Sequence, residues 1–235
     1  MPPKSVWRLS AQNLSRVYQC GSGRVKALDD VSLDINKGEF IAVTGRSGSG
    51  KTTLINMLAG LDRASEGTIQ TADGTKINKL DEEELARWRG RNVGIVFQFY
   101  QLLPSLTVLE NTLLPMDLCG VHPKVGRRDH AMSLLNDLGI NEHASKLPRD
   151  LSGGQQQRAA IARALVNDPD VVFADEPTGN LDSTTAMAVM ELFAAQAAKG
   201  KAVIMVTHDL DLAPYFSRII TLGDGRIVAE KAKAA

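Results

Sequence analysis

Cysteine is nearly missing from this 235-residue chain: Cys20 and Cys119 stand far apart, without metal-ligand spacing. That excludes a disulfide framework and a cysteine-built zinc site, and two free thiols fit a reducing compartment. Aromatic residues make up only 5 %, and no basic run carries interleaved aromatics, so the usual footprint of a nucleic-acid binder is absent. Neither sign of charge is in excess, with 27 basic and 27 acidic residues, so no bulk attraction to nucleic acid or anionic lipid is built in. No run of about eighteen apolar residues occurs, and a membrane-crossing helix is therefore not expected. The opening MPPKSVWRLS lacks the apolar core of a signal peptide. The rest is the composition of a soluble globular protein, 43 % hydrophobic and 23 % charged. Its length suits one large domain, or a domain carrying an inserted subdomain. A cytosolic location is expected, with peripheral attachment to a membrane left open.

What is present is a phosphate-binding pattern. Gly45-Arg46-Ser47-Gly48-Ser49-Gly50-Lys51-Thr52 fits G-x-x-x-x-G-K-[ST] at every fixed position. It follows the apolar run Phe40 to Val43, which reads as a buried strand, and precedes Leu54, Met57, Leu58 and Leu61, spaced as the inner face of a helix. Strand, loop and helix together are the context this motif requires. The glycines allow backbone N–H groups to turn around an anion, and the helix N-terminus adds its positive dipole end. Lys51 is placed for the β- and γ-phosphates and Thr52 for Mg²⁺, with Thr53 next in the same nucleotide-binding run. A plain glycine-rich turn before a helix is the alternative.

The first forty residues alternate as short strands: Arg8 to Ser10, Leu14 to Tyr18, a turn at Gly21-Ser22-Gly23, then Ala27 to Ile35. Thr68 to Thr71 reads as a strand between the turns Glu66-Gly67 and Asp73-Gly74. Asp81 caps a helix, EEELARWR, whose charges follow the helix dipole. Asn92 to Gln98 reads as another apolar strand. From 99 to 151 no β pattern survives: Thr107 and Glu110 have capping-box spacing, Asp129 to Leu138 is a helix with Gly139 as its stop, and turns and prolines separate the pieces. The α/β pattern resumes with a helix at 152–167, a strand at Val171 to Ala174, a helix at Ser183 to Lys199 stopped by Gly200, and a strand at Ala202 to Val206. Ile219 to Leu222 and Arg226 to Ala229 form a hairpin, and Glu230 to Ala235 is expected to fray.

Several polar residues sit where strands end. Val171 to Ala174 delivers Asp175 and Glu176 to the sheet edge where open α/β folds bind ligands. Asp175 is placed to hold Mg²⁺ through water, and Glu176 to orient or deprotonate an attacking water. His208 follows the strand Ala202 to Thr207; it either hydrogen-bonds a γ-phosphate oxygen or caps the segment after it. Gln98, at the end of Val93 to Phe97, could touch Mg²⁺ and a water. Leu151-Ser152-Gly153-Gly154-Gln155 has S-x-x-Q capping-box spacing, yet its two glycines weaken a first turn. They leave a helix N-terminus bare to another molecule's phosphate. One nucleotide can hardly lie against both helix starts unless two subunits meet.

Taken together, Gly45–Thr52, Gln98, LSGGQ at 151–155, Val171–Glu176, Asn180-Leu181-Asp182 and His208 resemble the ATP-binding cassette ATPases, in that family's order and over nearly the whole chain. The resemblance implies a single P-loop NTPase domain of α/β class. Its mostly parallel core (1–98 and 152–235) carries an N-terminal antiparallel β subdomain and an inserted α-helical subdomain (99–151). It implies ATP and Mg²⁺ as ligands and a head-to-tail homodimer, with ATP between one copy's phosphate loop and the other's Ser152, Gly153, Gly154 and Gln155. It also implies Tyr18 stacked on adenine, although a strand tyrosine is more often packing. Glu176 becomes the catalytic carboxylate, assisted by His208 and Gln98, and Leu181-Asp182 communicate across the dimer. Two stretches, VFQFYQLLPSLTVLENTLLP and LSGGQQQRAAIARAL, resemble the subgroup serving lipoprotein release and macrolide-type efflux. There the ATPase works on the cytoplasmic face of the membrane with a separate integral permease. Phe99, Tyr100, Leu102 and Leu103 suit a docking surface for it, or an ordinary inner core. Two other functions compete: a soluble cassette acting on DNA or ribosomes, which needs a coiled coil, tandem cassettes, zinc motifs or basic patches, and a small-molecule kinase, which leaves LSGGQ unexplained.

Overall fold

The computed structural model describes residues 7–21 and 23–232. Two sheets and six α-helices, α1 to α6, organise it. In the first sheet, β1 (Trp7–Cys20) lies antiparallel between β2 (Gly23–Asn36) and β4 (Glu66–Thr71). The second has the order β5 (Val93–Val96), β6 (Val171–Asp175), β7 (Ala202–Val206), β3 (Phe40–Gly45), β8 (Arg218–Gly223) and β9 (Arg226–Ala232). All its pairings are parallel except β8 with β9.

Burial explains the central strands. Every residue of β7 is buried, as are the first four of β6 and the first five of β3. An unbroken apolar run fits a parallel strand covered on both faces. Ile41, Val43, Phe173, Ile204 and Val206 face one core, shared with Leu14, Leu28, Leu54 and Leu58 from the antiparallel sheet and α1 (Lys51–Leu58). Their neighbours Phe40, Ala42, Val172, Ala174 and Met205 face the other core, with Ile161 of α5 (Gly153–Leu165) and Met190 and Phe193 of α6 (Ser183–Ala198). Phe40 meets Phe216 edge-on at 4.9 Å between ring centroids. Removing a ring such as Phe193 from this layer should cost about 3–5 kcal/mol.

Several boundaries differ from the sequence reading. The opening short strands are two 14-residue strands whose alternation is broken by bulges, one of them between Ala11 and Leu14. There Asn13 adopts φ 52°, and a Cβ on Gly67 would lie 2.4 Å from its carbonyl oxygen. Helix α1 ends before Leu61, which is 43 % exposed and off the inner face, because Gly60 turns the chain at φ 67°. Helix α2 (Glu82–Asn92), held by the Asp81–Glu84 capping box, absorbs Asn92. Strand β5 is thereby shortened to Val93–Val96, and Gln98 lies two residues beyond its end. His208 likewise lies two residues past β7. The tail does not fray at Glu230: Glu230, Lys231 and Ala232 pair with β8, reinforced by Arg218–Glu230 at 3.1 Å. Residues 233–235, and Ser22 of the predicted turn, fall outside the described residues. Between β5 and α5 there are no strands, only α3 (Val108–Cys119), α4 (Arg127–Asp137) and two 3-10 turns. Pro115 sits inside α3 rather than between pieces. Among the described residues no helix is long and apolar enough to cross a membrane, and both cysteines are free.

Candidate nucleotide site

Parallel pairing brings the carboxyl ends of β3, β7 and β6 to one sheet edge, with Val43 opposite Val206 and Val206 opposite Asp175. A cavity of about 470 Å³ opens there. The loop from Gly45 to Gly50 is built by close approaches only glycine permits. A Cβ on Gly45 would lie 2.3 Å from Leu222 O, and one on Gly50 2.5 Å from Ala27 O, at φ 142° and 99°. Gly50 precedes α1 with no side-chain cap, so the first N–H groups of that helix have no partner inside it. Lys51 Nζ donates to the carbonyls of Gly45 and Arg46, both at 2.9 Å. Ser49 is buried and its hydroxyl has no partner.

The acidic end of the site diverges within two residues. Thr52 Oγ1 donates to Asp175 Oδ2 at 3.4 Å. Glu176 takes φ 45°, a strained value for a non-glycine residue, and its N–H donates to Val206 O at 3.0 Å. Its carboxylate therefore turns away from Asp175. One oxygen lies 3.3 Å from His208 Nδ1, and the other accepts from Gln98 Nε2 at 3.3 Å. His208 is 70 % exposed, Glu176 25 %.

Burial pushes the Asp175 carboxyl above its ordinary value, with the Thr52 hydrogen bond pulling it back and the Glu176 charge adding to the rise. The folded chain thus holds this proton more tightly than the unfolded chain. The stability this group contributes is complete below its unfolded value, about 3.9, and is lost as pH rises through the raised folded value. At neutral pH ionised Asp175 is a burden. Asp175→Asn should raise the thermal midpoint of the nucleotide-free chain by about 2 °C at pH 7 and by less at pH 4, as scanning calorimetry at both pH values would show.

The cavity thus gathers Gly45, Ser47, Gly48, Gly50, Lys51, Thr52, Thr53, Gln98, Asp175, Glu176 and His208 from the predicted set. Arg46, Ser49, Tyr18 and Ser152 to Gln155 are not among its lining residues. Tyr18 Oη donates to Asp62 Oδ2 at 2.6 Å, and the Arg16 guanidinium covers its ring at 4.5 Å. Ser152 caps α5, and with Gln155 it completes a capping box. The two glycines of that turn are less bare than expected: a Cβ on Gly154 would lie 2.6 Å from Thr185 Cγ2, and one on Gly153 3.2 Å from Tyr100 Oη. They let α5 start against α6, whose N-terminus Asp182 caps through the N–H groups of Thr184 and Thr185. Asn180-Leu181 lead into that cap. Sequence reasoning missed Ala27, which meets the loop through its carbonyl oxygen, and His143, which touches Gln155. Neither carries a signal in the sequence.

Residues 28–179 match the family model of the ABC transporter. The chain belongs to the ABC transporter family, as one of its ATPase domains. It is 44 % identical over 96 % of its length to the macrolide export ATP-binding/permease protein MacB of Chlorobium phaeobacteroides, but spans only about a third of that relative, 34 %. Against the ABC transporter ATP-binding protein YknY of Bacillus subtilis it is 42 % identical, covering 94 % of this chain and 95 % of the relative. The dimeric structure of the bacterial ABC transporter cassette MJ0796 superposes with TM-score 0.89 at 40 % identity, covering 97 % of this chain and 99 % of that one. The same cassette has been solved as a post-hydrolysis dimer with ADP and Pi, at the same TM-score and identity. The α/β cassette fold, with an antiparallel N-terminal sheet beside a parallel core sheet, is therefore that of the family.

Proposed function

We propose that this cassette hydrolyses ATP in a head-to-tail pair and drives a membrane permease, as an exporter of the MacB kind. One observation carries the pairing: of two helix starts suited to phosphate, that of α1 lines the cavity and that of α5 does not. A second copy supplies Ser152, Gly153, Gly154 and Gln155 to the open side of the first copy's nucleotide. Two dimeric structures of one relative, one of them holding ADP and Pi, support this.

Within one copy the N–H groups of the loop and α1 hold the triphosphate, and Lys51 offers its remaining donor to the terminal phosphate. Arg46, Ser47, Ser49 and Thr53 complete the loop, and Tyr18 flanks the base. The Thr52 hydroxyl, the Asp175 carboxylate and the Gln98 amide oxygen form a small set of hard oxygen donors that suits Mg²⁺. Bound there, the ion would neutralise charge on the phosphates. Glu176 orients the attacking water and takes its proton. Gln98 and His208 hold that carboxylate from two sides, and His208 presents its exposed edge to the departing phosphate.

A groove of about 600 Å³ between α2, α3 and α5, with Leu61, Phe97, Leu114 and Leu118 on its walls and Arg87 and Arg163 beside them, is the proposed seat of the permease. The four residues expected to dock it divide otherwise. Phe99 and Leu103 are exposed, Leu102 packs on the core, Tyr100 abuts Gly153, and none lines the groove. Residues 99–151 form the helical subdomain in this reading, and the chain works peripherally on the cytoplasmic face. Leu118 is 77 % exposed, so Leu118→Glu should leave folding and ATP binding intact. Tagged chain drawn from detergent-solubilised membranes of its own cells should bring down an integral membrane protein, and Leu118→Glu should reduce its yield about tenfold. Recovery of no such protein would defeat the transport reading.

A further inference from the structure

His143 sits on the 3-10 turn Asn141–His143, and the reading above gives it no role. Its Nε2 lies 2.8 Å from Gln155 Nε2. A second bond fixes which way the Gln155 amide points: Gln155 Oε1 accepts from the backbone N–H of Ser152 at 2.9 Å, and a backbone N–H can only donate. The amide NH₂ therefore faces the imidazole and needs a lone pair there. Only a neutral His143 with its proton on Nδ1 offers one. That Nδ1 is buried and has no hydrogen-bond partner, so the contact with Gln155 selects the tautomer. His143 is itself anchored, its N–H donating to Ile140 O at 3.0 Å and its carbonyl accepting from Lys146 N at 2.9 Å.

The reciprocal bond of the capping box, from Gln155 N to Ser152 Oγ, is long at 3.3 Å. The Ser152 carbonyl accepts from Gln156 N at 2.9 Å, but its N–H depends on the Gln155 side chain, and that side chain on an acceptor at position 143. We propose that His143 is a positioning residue for the Ser152–Gly154 turn, fixing through Gln155 the shape that the turn presents to the second copy's triphosphate. The proposal rests on the pairing put forward above. Lone-pair geometry, not ring volume or charge, is the operative property.

The test is a substitution series in the full chain, read as the chain concentration giving half-maximal specific ATPase activity at saturating Mg-ATP. His143→Leu removes the acceptor, and His143→Lys replaces it with donors only. Either should raise that concentration about five- to tenfold, the effect of losing one hydrogen bond. His143→Gln, whose amide oxygen can stand near the place of Nε2, should stay within about twofold of the parent. Thermal melting checks that each variant folds, and should Leu not fold, the Gln and Lys variants carry the comparison. A Gln variant no better than Lys, or a series identical to the parent, overturns the proposal. Gly153→Asp, which sets a carboxylate where the phosphate approaches, separates the two levels. If it abolishes turnover while the His143 series is flat, only the role of His143 fails. If it too leaves turnover unchanged, the pairing itself fails.

Discussion

Glu176→Gln is expected to lower kcat for ATP hydrolysis about 100- to 1,000-fold while changing ATP affinity less than about threefold. The substitution keeps the shape and removes charge and basicity. In the parent, each carboxylate oxygen meets one neighbour, Gln98 or His208, at 3.3 Å, which leaves lone pairs on both oxygens free for a water. An amide at 176 can still accept from Gln98 through its oxygen, so the loop keeps its contacts, but it cannot take a proton. Binding should survive for a second reason. The Glu176 charge is one of the causes raising the Asp175 carboxyl; its removal favours ionised Asp175 and with it a divalent cation. With hydrolysis blocked and ATP held, the paired form should accumulate. Single-turnover phosphate release, nucleotide titration and sedimentation measure the three quantities. Turnover above about a tenth of the parent rate would take Glu176 out of the proton transfer.

The same residues show how far a sequence can be read. The strands β3, β6 and β7 are legible because a strand buried on both faces must be apolar throughout, and few other elements are. The phosphate loop is legible because its partners are consecutive: the glycines, Lys51 and Thr52 fall within eight successive residues. Asp175, Glu176, Gln98 and His208 needed an extra step, that parallel strands deliver their carboxyl ends to a common edge. Boundaries failed where two local preferences competed. Leu61 continues the helical period of Leu54, Met57 and Leu58, yet Gly60 ends the turn before it. Asn92 could open β5 or close α2, and its own amide, which donates to Trp88 O at 2.8 Å, keeps it in the helix. In β1 the bulges hid the strand's length by breaking the alternation on which the sequence reading depends. The contacts of Ala27 with the loop and of His143 with Gln155 lay beyond reach, since each joins segments that only the folded chain brings together.

Lys51→Ala is expected to weaken ATP binding about 100-fold or more and to leave the thermal midpoint of the nucleotide-free chain within about 2 °C. An ammonium has three donors. Two are spent inside the loop, on the carbonyls of Gly45 and Arg46 at 2.9 Å, so the group is fixed before any nucleotide arrives, with one N–H and its whole charge left for a phosphate oxygen. Preorganisation of this kind makes a charge-assisted bond worth more than a mobile surface lysine could supply. The stability change should be small because Arg46 is exposed and Gly45 only half-buried, so water can take over the two carbonyls that Lys51 leaves. Lys51→Arg should fare little better than alanine: a planar guanidinium cannot point its donors at two adjacent carbonyls and a phosphate at once. Titration calorimetry with Mg-ATP separates the outcomes. An arginine variant binding within threefold of the parent would show that charge alone matters at this position, and that the loop carbonyls do not aim it.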